Sequence, residues 1–212
     1  MFPPVESADE DGFLGYGGEP TVEILRLAYA SGIFPWPGEY GPMQWFAPPR
    51  RALLFLDEFH VGSRLRRTLT KNPFEIRVDT AFEAVLRGCA APREGEPGTW
   101  ITPQMQRGYL DFHRAGHAHS VEAWQDGQLV GGLYGVSFGA YFGGESMFYR
   151  VPNASKAALV WLIEHLKSRG STFIDCQTMT PHFAVFGARE IERSDFMAML
   201  EAAMNRPVSL FD

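Results

Sequence analysis

Cysteine is scarce in this sequence: among its 212 residues only Cys89 and Cys176 occur. They lie far apart and in no metal-binding spacing, which argues against a disulfide-stapled secreted domain and against a structural zinc site. Excess positive charge is also missing, because the net charge is −6. A protein that holds nucleic acid by its overall charge would be basic, so any RNA contact must come from a local patch.

Long apolar runs are missing too, and no stretch approaches membrane-spanning length. Residues 1–18 are acidic and contain prolines and glycines, so they lack the basic start and apolar run of a secretory signal. We therefore expect a cytoplasmic protein without membrane association. Its first residues are expected to form a flexible or loosely docked arm. Neither a Walker-type phosphate loop nor a dinucleotide fingerprint occurs in the sequence.

The apolar content, 45% of residues with 17 Phe, is ample for a core. Apolar periodicity and turn residues predict helices at residues 21–32, 62–71, 80–88, 102–116 and 155–168, and a last helix capped by Ser194. A capping box, TAFE, is predicted to open the third of these helices. Strands are predicted at residues 52–56, 74–78, 120–124, 128–136, 140–143 and 173–177, with Asp126-Gly127 as a hairpin turn. Residues 33–49 combine prolines with aromatic residues and predict a loop.

This order of elements is helices first, then an antiparallel meander, then helix–strand–helix. It favours an α+β fold in which helices flank a mostly antiparallel central sheet. The length allows one large domain or a main domain with a small appendage. We expect a small N-terminal domain over residues 1–49 and a main domain over residues 50–212.

The chemistry-bearing residues concentrate in residues 144–177. This stretch contains GESMFYR from Gly144, NASK from Asn153 and FIDCQ from Phe173. It offers a carboxylate, Glu145, in a glycine-lined turn, and an acid and an amide, Asp175 and Gln177, two residues apart. Because side chains alternate along a strand, Asp175 and Gln177 are expected on one face and Cys176 on the other. Such a cluster can position two reacting groups without a metal or redox cofactor.

Together with GIFPW at residues 32–36 and GTWIT at residues 98–102, these motifs resemble the bacterial leucyl/phenylalanyl-tRNA–protein transferases. The resemblance covers roughly residues 17–195. It implies an aminoacyltransferase of the GNAT-like fold that moves Leu or Phe from the acceptor end of Leu-tRNA or Phe-tRNA to a protein N-terminal Arg or Lys. It also implies that the acceptor is marked for degradation and that no cofactor is needed. We expect a monomer.

The implied reaction is attack by an α-amine on an aminoacyl ester, and the resemblance assigns Glu145, Asp175 and Gln177 to catalysis. An α-amine has a pKa of about 7.7–8.0, so the site needs orientation and a proton acceptor more than a strong base. Glu145 could bind the amine or the basic side chain; a surface ion pair is the alternative. Gln177 is too weakly basic to hold a proton, so we expect its carbonyl oxygen to orient the amine. The acceptor is left open among Asp175, Glu145 and the ribose hydroxyl, and a buried Asp–Gln pair that only shapes the core stays possible.

Two other combinations of reactive residues are less favoured. Cys176 with His182 would need the thiol beside the imidazole, whereas strand alternation points to a small buried hydrophobe. His113, His117 and His119 look like a metal set, yet they straddle a helix exit and a strand start without a carboxylate in ligand spacing. Structural histidines, and no bound metal, are the expectation.

For substrate binding, the resemblance implies roles for two tryptophans, Trp36 and Trp100, which could stack on the terminal adenine or pack on the acceptor peptide. Packing roles are equally open for both. A Leu or Phe side chain needs an apolar cavity, and the positions that match its lining are Leu133, Phe142, Met147, Leu159, Leu162 and Ile174. All six could equally be ordinary core residues, and the preference among Leu, Phe and Met stays open.

Basic residues cluster on the predicted helix at residues 62–71. Arg64, Arg67 and Lys71 recur at helical spacing and form one basic face, and Arg66 is beside them. The tRNA-binding candidates are Arg50, Arg51, Arg64, Arg66, Arg67 and Lys71, with a solvated helix face as the alternative. Two other functions are weighed against the transferase. One is a non-catalytic module that binds the aminoacyl-tRNA end. The other is a coenzyme-A-dependent N-acetyltransferase, disfavoured because residues 149–154 lack the glycines of a pyrophosphate-binding turn.

Overall fold

The computed structural model describes residues 1–38, 41–71, 74–92 and 99–211 of the chain. Its strands are β1 Phe13–Tyr16, β2 Phe34–Pro35, β3 Gln44–Phe46, β4 Arg50–Phe55, β5 Glu75–Val78, β6 Ala118–Gln125, β7 Gln128–Phe138, β8 Tyr141–Tyr149, β9 Phe173–Asp175 and β10 Arg189–Glu192. Its α-helices are α1 Val22–Ala30, α2 Ser63–Lys71, α3 Phe82–Ala90, α4 Pro103–Arg114, α5 Ala154–Ser168, α6 Pro181–Ala184 and α7 Arg193–Met204.

Two sheets organise the molecule. A seven-stranded sheet has the order β10-β4-β9-β8-β7-β6-β5, and a three-stranded sheet has the order β1-β3-β2. Every neighbouring pair in the large sheet is antiparallel except β8 and β9, which are parallel. Helices pack on both faces of this sheet. The predicted α+β class with a mostly antiparallel central sheet flanked by helices is therefore confirmed.

Each face of the large sheet has its own hydrophobic core, because side chains alternate along the strands. The first core lies under α1, α3, α4 and α7, and the second core lies under α5. Consecutive residues of a strand lie in different cores. Leu133 and Ile174 lie in the second core, whereas their neighbours Tyr134 and Phe173 lie in the first. Side chains on β8 and β9 can therefore be assigned to one of two environments.

Several local predictions from the sequence are confirmed. The hydroxyl of Thr21 accepts the N–H of Ile24 at the start of α1, and Thr102 caps α4 with Pro103 in the first turn. Asp126 and Gly127 have φ of 50° and 72°, the left-handed pair that a two-residue hairpin turn requires. Turn chemistry of this kind acts within a few residues, which explains why it could be recognised without the fold.

Other local predictions are wrong. The N-cap of α3 is Ala81, with no side-chain cap bond, so the capping box does not form. The hydroxyl of Thr80 and the N–H of Ala81 are instead bonded to the buried carboxylate of Glu122 on β6. The helix ends at Ala90, close to its predicted end near Gly88, and Gly88 packs closely against the ring of Phe148. At the start of the helix, a contact with a distant strand replaces the local capping signal.

The two ends of the chain also differ from the sequence predictions. Glu192 is the N-cap residue of α7, so Ser194 lies inside the helix rather than at its cap. The predicted loop at residues 33–49 contains β2 and β3. The predicted loose arm contributes β1, which pairs with β3, and the ring of Phe2 packs edge-to-face on Trp45 at 4.9 Å. Pairing of β3 with β2 inside the predicted loop, and with β1 from the predicted arm, orders both of these stretches.

Gly98, the first residue of the GTWIT motif, lies outside the described residues, as do all of residues 93–98. Among the described residues, no helix is both long and apolar enough to cross a membrane. The division at residue 49 stays a prediction, since α1 packs into the same first core as α3 and α4.

Candidate active site

The site forms where β8 and β9 stop pairing. The two strands share a single residue pair, Gly143 with Asp175. Just beyond it, β8 carries a β-bulge: Gly144 pairs with Gly135 and Ser146 with Tyr134, so Glu145 is an extra residue without a partner on β7. A bulge bends its strand and turns a side chain away from the regular alternation. Alternation from Tyr141, which lies in the first core, already places Glu145 on the first-core face, and the bulge shifts the alternation after it so that Met147 packs against the second core.

Glu145 is held by two tyrosines from different helices. The hydroxyl of Tyr29 on α1 donates to Oε1 at 2.8 Å, and the hydroxyl of Tyr109 on α4 donates to Oε2 at 2.7 Å. The two hydroxyl oxygens are themselves 2.7 Å apart. Both tyrosine side chains are fully buried, whereas Glu145 is partly buried. The carboxylate is therefore oriented by rigid groups at the edge of the first core.

The Gln177 side chain reaches Glu145 from the end of β9. Its Nε2 donates to Oε1 of Glu145 at 3.3 Å. The strand ends at Asp175, so the predicted strand at residues 173–177 is too long, and Gln177 has a left-handed φ of 57°. Such a conformation is strained for a residue with a side chain, costing about 1 kcal/mol. The backbone bond from the N–H of Ala52 to the carbonyl of Gln177 helps to hold it. The amide N–H of Gln177 is thus turned to Glu145, and the side chain is buried.

Asp175 is occupied by protein donors. It is fully buried and accepts Nε and Nη2 of Arg51, each at 2.8 Å, the hydroxyl of Tyr141 at 2.7 Å and the backbone N–H of Gln177 at 2.9 Å. Strand alternation therefore places Asp175 on the face of the first core, as predicted, and Cys176 in the second core. The contact between Asp175 and Gln177 runs through the backbone, which fixes the turn that presents the amide.

Arg51 is the partner of this buried acid. Its guanidinium lies between the rings of Phe34 and Phe196, 4.7 and 4.5 Å from their centroids, and Nη1 donates to the carbonyl of Gly32 at 3.1 Å. The candidate role of Arg51 in tRNA binding is therefore wrong, because a buried, paired cation cannot reach a phosphate. Arg50, its neighbour, is exposed and lies near Glu190 and Glu192.

The protonation of Glu145 is sensitive to its surroundings. Burial raises the pKa of Glu145 from 4.5 to about 7, and the negative charge of Asp175 acts in the same direction. The hydrogen bonds from Tyr109 and Tyr29 and the charge of Arg51 oppose this rise in the pKa without cancelling it. Glu145 can therefore gain or lose a proton near neutral pH, where a bound α-amine would also titrate.

The six apolar residues that match the family's pocket lie together in the second core. Leu133, Phe142, Leu159, Leu162 and Ile174 are buried there, and Met147 packs against them. They occupy the face of the sheet opposite to Asp175. The structure thus brings the predicted lining residues into one cluster, and their use as a pocket stays a prediction.

The two tryptophans differ in their surroundings. Trp100 is partly buried and packs edge-to-face on Tyr109, with ring centroids 6.4 Å apart, which places it next to the Glu145 network. Trp36 follows β2 and is 43% exposed beside Phe34 and Phe46. An exposed flat ring is suited to stacking, whereas Trp100 also supports the core. Neither arrangement separates substrate binding from packing.

The predicted basic helix is confirmed as α2. None of its residues is buried, and Arg64, Arg66, Arg67 and Lys71 form no ion pair with any residue of the described ranges. Three of them, Arg66, Arg67 and Lys71, line an open groove of about 620 Å³ together with His60, Val61, Ser63 and Thr70. Unpaired cations along a groove are suited to binding an anionic polymer.

Cys176 and the histidines have the buried or packing environments that the sequence analysis favoured for them. Cys176 is buried, and burial raises the pKa of its thiol, which opposes a role as nucleophile. The ring of His113 stacks on Phe82 at 4.1 Å. His119 lies 2.7 Å from a carboxylate oxygen of Asp79. These histidines have packing and hydrogen-bonding partners that account for their positions.

Sequence reasoning missed four residues of this network: Tyr29, Tyr109, Tyr141 and the true role of Arg51. A usable signal existed, because buried charges and buried hydroxyl groups require partners. Arg51 lies next to the apolar residues of β4, and Asp175 lies in another apolar strand. The pairing of these two could have been proposed, but nothing local indicates that the tyrosines converge on Glu145.

Family profiles and sequence relatives give the same family. The profile described as leucyl/phenylalanyl-tRNA protein transferase matches residues 53–201, and that of its N-terminal domain matches residues 18–49. A leucyl/phenylalanyl-tRNA–protein transferase of Nitratidesulfovibrio vulgaris is 52% identical over 208 residues, which are 98% of this chain and 89% of that protein. The protein of that name from Myxococcus xanthus is 49% identical with the same coverage.

Among solved structures, that of L-PGS from Bacillus licheniformis aligns over 75% of this chain and 52% of that chain. Its TM-score is 0.44 and its sequence identity is 18%. The two family profiles and the relatives near 50% identity cover almost the whole chain, including Glu145, Asp175 and Gln177. This chain belongs to the leucyl/phenylalanyl-tRNA protein transferase family.

Proposed function

We propose that this protein transfers Leu or Phe from aminoacyl-tRNA to the N-terminal Arg or Lys of acceptor proteins, forming a peptide bond and marking the acceptor for degradation. The observation that carries the proposal is the convergence of Glu145 and Gln177 at the separation of β8 and β9, in a chain of this family. The products would be the extended protein and a tRNA with a free terminal ribose.

The arrangement suits aminolysis of an ester. The carbonyl oxygen of Gln177 would accept a hydrogen bond from the incoming α-amine, and the Glu145 carboxylate would lie beside the same nitrogen. Asp175 would act as a positioning residue, because Arg51, Tyr141 and the Gln177 N–H already occupy its oxygens. Since the ester is already activated, orientation and proton transfer are sufficient for catalysis.

The substrate would contact three surfaces. We assign the aminoacyl side chain to the apolar cluster that contains Leu133, Phe142 and Ile174, and the terminal adenine to the region of Trp36 and Trp100. The tRNA phosphates would lie along α2, where four exposed cations form no ion pair with described residues. Such contacts need no base readout, which suits an enzyme that accepts tRNAs for two amino acids.

Other parts of the proposal concern the protein as a whole. We propose a GNAT-type catalytic domain at residues 50–212 and a small N-terminal domain at residues 1–49. The parallel β8–β9 pair within an otherwise antiparallel sheet supports this assignment. We further propose a monomer that works in the cytoplasm, where charged tRNA occurs and where free cysteines such as Cys89 and Cys176 persist.

The test is a transfer assay with radiolabelled Leu-tRNA or Phe-tRNA and a peptide that begins with Arg. We expect labelled peptide with N-terminal Arg or Lys, and none with the same peptide acetylated at its α-amine. Peptides beginning with Ala test the acceptor specificity. If the protein binds charged tRNA stably but yields no labelled peptide, whereas a known transferase does so in parallel, it is a binding module and not an enzyme.

A further inference from the structure

Glu145, Tyr29 and Tyr109 form a closed ring of short oxygen contacts. Oε1 of Glu145 is 2.8 Å from the Tyr29 oxygen, the Tyr29 oxygen is 2.7 Å from the Tyr109 oxygen, and the Tyr109 oxygen is 2.7 Å from Oε2. All three distances are those of O–H···O hydrogen bonds. The carboxyl group closes the ring through its own carbon.

A count of hydrogens distinguishes the two charge states of this ring. The ring has three oxygen–oxygen contacts, and the two tyrosines supply one hydrogen each. When Glu145 is ionised, one of the three contacts therefore has no hydrogen between its two oxygens. A proton on the carboxyl supplies the missing hydrogen. The ring is then complete: Oε2–H donates to Tyr109, Tyr109 to Tyr29, and Tyr29 to Oε1. Oε1 remains an acceptor for the Nε2 of Gln177.

We propose that Glu145 is the proton acceptor of the transfer reaction, and that Tyr29 and Tyr109 are positioning residues that complete a hydrogen-bonded ring around the proton it takes. Among the described residues, Asp175 is the other acid at this site, and it cannot serve in this way. Arg51 holds both of its oxygens, and it is fully buried. Glu145 is partly exposed and contacts Gln177, the residue assigned to orient the amine.

The proton balance of the step is as follows. The neutral α-amine attacks the ester carbonyl carbon and a C–N bond forms, while the nitrogen loses one proton to the Glu145 carboxylate. The C–O bond to the tRNA ribose then breaks, and the ribose oxygen takes that proton from Glu145. Glu145 returns to its ionised state, and neither an oxidant nor a second reactant is needed.

Three substitutions test the ring. Glu145→Gln keeps the ring closed, because the amide N–H replaces the carboxyl O–H, but it cannot take a proton. Tyr29→Phe and Tyr109→Phe each open the ring. The matched control is Tyr134→Phe: this tyrosine is also fully buried, its ring packs edge-to-face on Tyr109, and its hydroxyl has no hydrogen-bond partner among the described residues.

Transfer rates are measured against pH with saturating Leu-tRNA and a varied Arg peptide. Since this role presupposes the transferase activity proposed above, the wild-type rate is measured first. We expect Glu145→Gln to lower kcat about 100-fold or more, with the KM for the peptide changed less than about threefold. Tyr134→Phe should behave as wild type. A carboxyl infrared band that titrates near neutral pH should occur in the wild type and be lost in Glu145→Gln.

The direction of the pH shift in the tyrosine variants is decisive. Donation by the two tyrosines to the ionised carboxylate lowers the pKa of Glu145, whereas closure of the ring around the proton raises it. If closure of the ring is the larger effect, opening the ring favours the ionised carboxylate, so the rising limb of the kcat profile moves down by about one pH unit in Tyr29→Phe and Tyr109→Phe. If the tyrosines only donate to a carboxylate, losing one donor moves the limb up. The acceptor amine is the same in all variants, so differences between them report the enzyme.

The outcomes separate the two proposals. An upward shift of the limb, a kcat retained within about threefold in Glu145→Gln, or a change in KM alone would each overturn the ring while leaving the transferase function standing. A wild-type protein that forms no labelled peptide would remove the function and the ring together.

Discussion

Replacing Arg51 by Met should be strongly destabilising, although Met resembles the Arg stem in length and stays apolar between Phe34 and Phe196. The reason is Asp175, which is fully buried and receives two of its four hydrogen bonds from Arg51. After the substitution, the hydroxyl of Tyr141 and the N–H of Gln177 remain as donors, and no cation balances the charge.

The expected loss is about 3 to 5 kcal/mol of unfolding free energy, the usual cost of leaving a buried charge without its partner. That is a large fraction of the total for a domain of this kind. The exposed neighbour provides the control: Arg50 lies on the same strand, with ion pairs to Glu190 and Glu192 in solvent. Arg50→Met should cost less than about 1 kcal/mol.

Urea unfolding of the three proteins measures these differences, with the slope compared to confirm that the unfolding transition is unchanged. The double variant Arg51→Met with Asp175→Asn should be more stable than Arg51→Met alone by about 2 kcal/mol, because no uncompensated charge remains. A loss of unfolding free energy in Arg51→Met no larger than that in Arg50→Met would contradict the role of Arg51 as the partner of a buried charge. A double variant no more stable than Arg51→Met would contradict it as well.

Three further predictions concern Glu145, Gln177 and α2. The pKa of Glu145 in the folded protein is raised from 4.5 to about 7, so its favourable contribution to stability is present at low pH and is lost as the pH rises through this range. The unfolding free energy of the wild type should therefore fall by about 3 kcal/mol relative to that of Glu145→Gln over this range, at roughly 1.4 kcal/mol per pKa unit. Urea unfolding that shows the same difference between the two proteins at every pH would contradict this. Gln177→Ala keeps the left-handed backbone without the amide, so peptide formation should fall while filter-measured tRNA affinity stays the same; equal losses of both would indicate a structural role. Arg64→Glu with Arg67→Glu should weaken tRNA binding and reduce its salt slope by about 0.7 per lost phosphate contact; an unchanged slope would remove α2 from the interface.

Elements with strong local signals were predictable, and those set by distant pairing were not. The helix after Thr21, the hairpin at Asp126-Gly127 and the basic helix α2 follow from capping, turn chemistry and spacing within a few residues. The strands β1, β2 and β3 are two to four residues long, and β1 pairs with β3 across a long separation in sequence, whereas β2 pairs with β3 inside the stretch predicted as a loop. No periodicity can develop in segments this short.

The candidate site shows the same division at the level of side chains. Residue identities in long, ordered motifs were enough to predict the family and the burial of Cys176, and they made Glu145, Asp175 and Gln177 the candidates for catalysis. Only the tertiary structure decided that Asp175 is paired with Arg51 and that Glu145 lies in a bulge between Tyr29 and Tyr109. These contacts join β4 to β9 and β8 to α1 and α4. Their existence depends on sheet order, register and helix docking, which no local stretch of residues encodes alone.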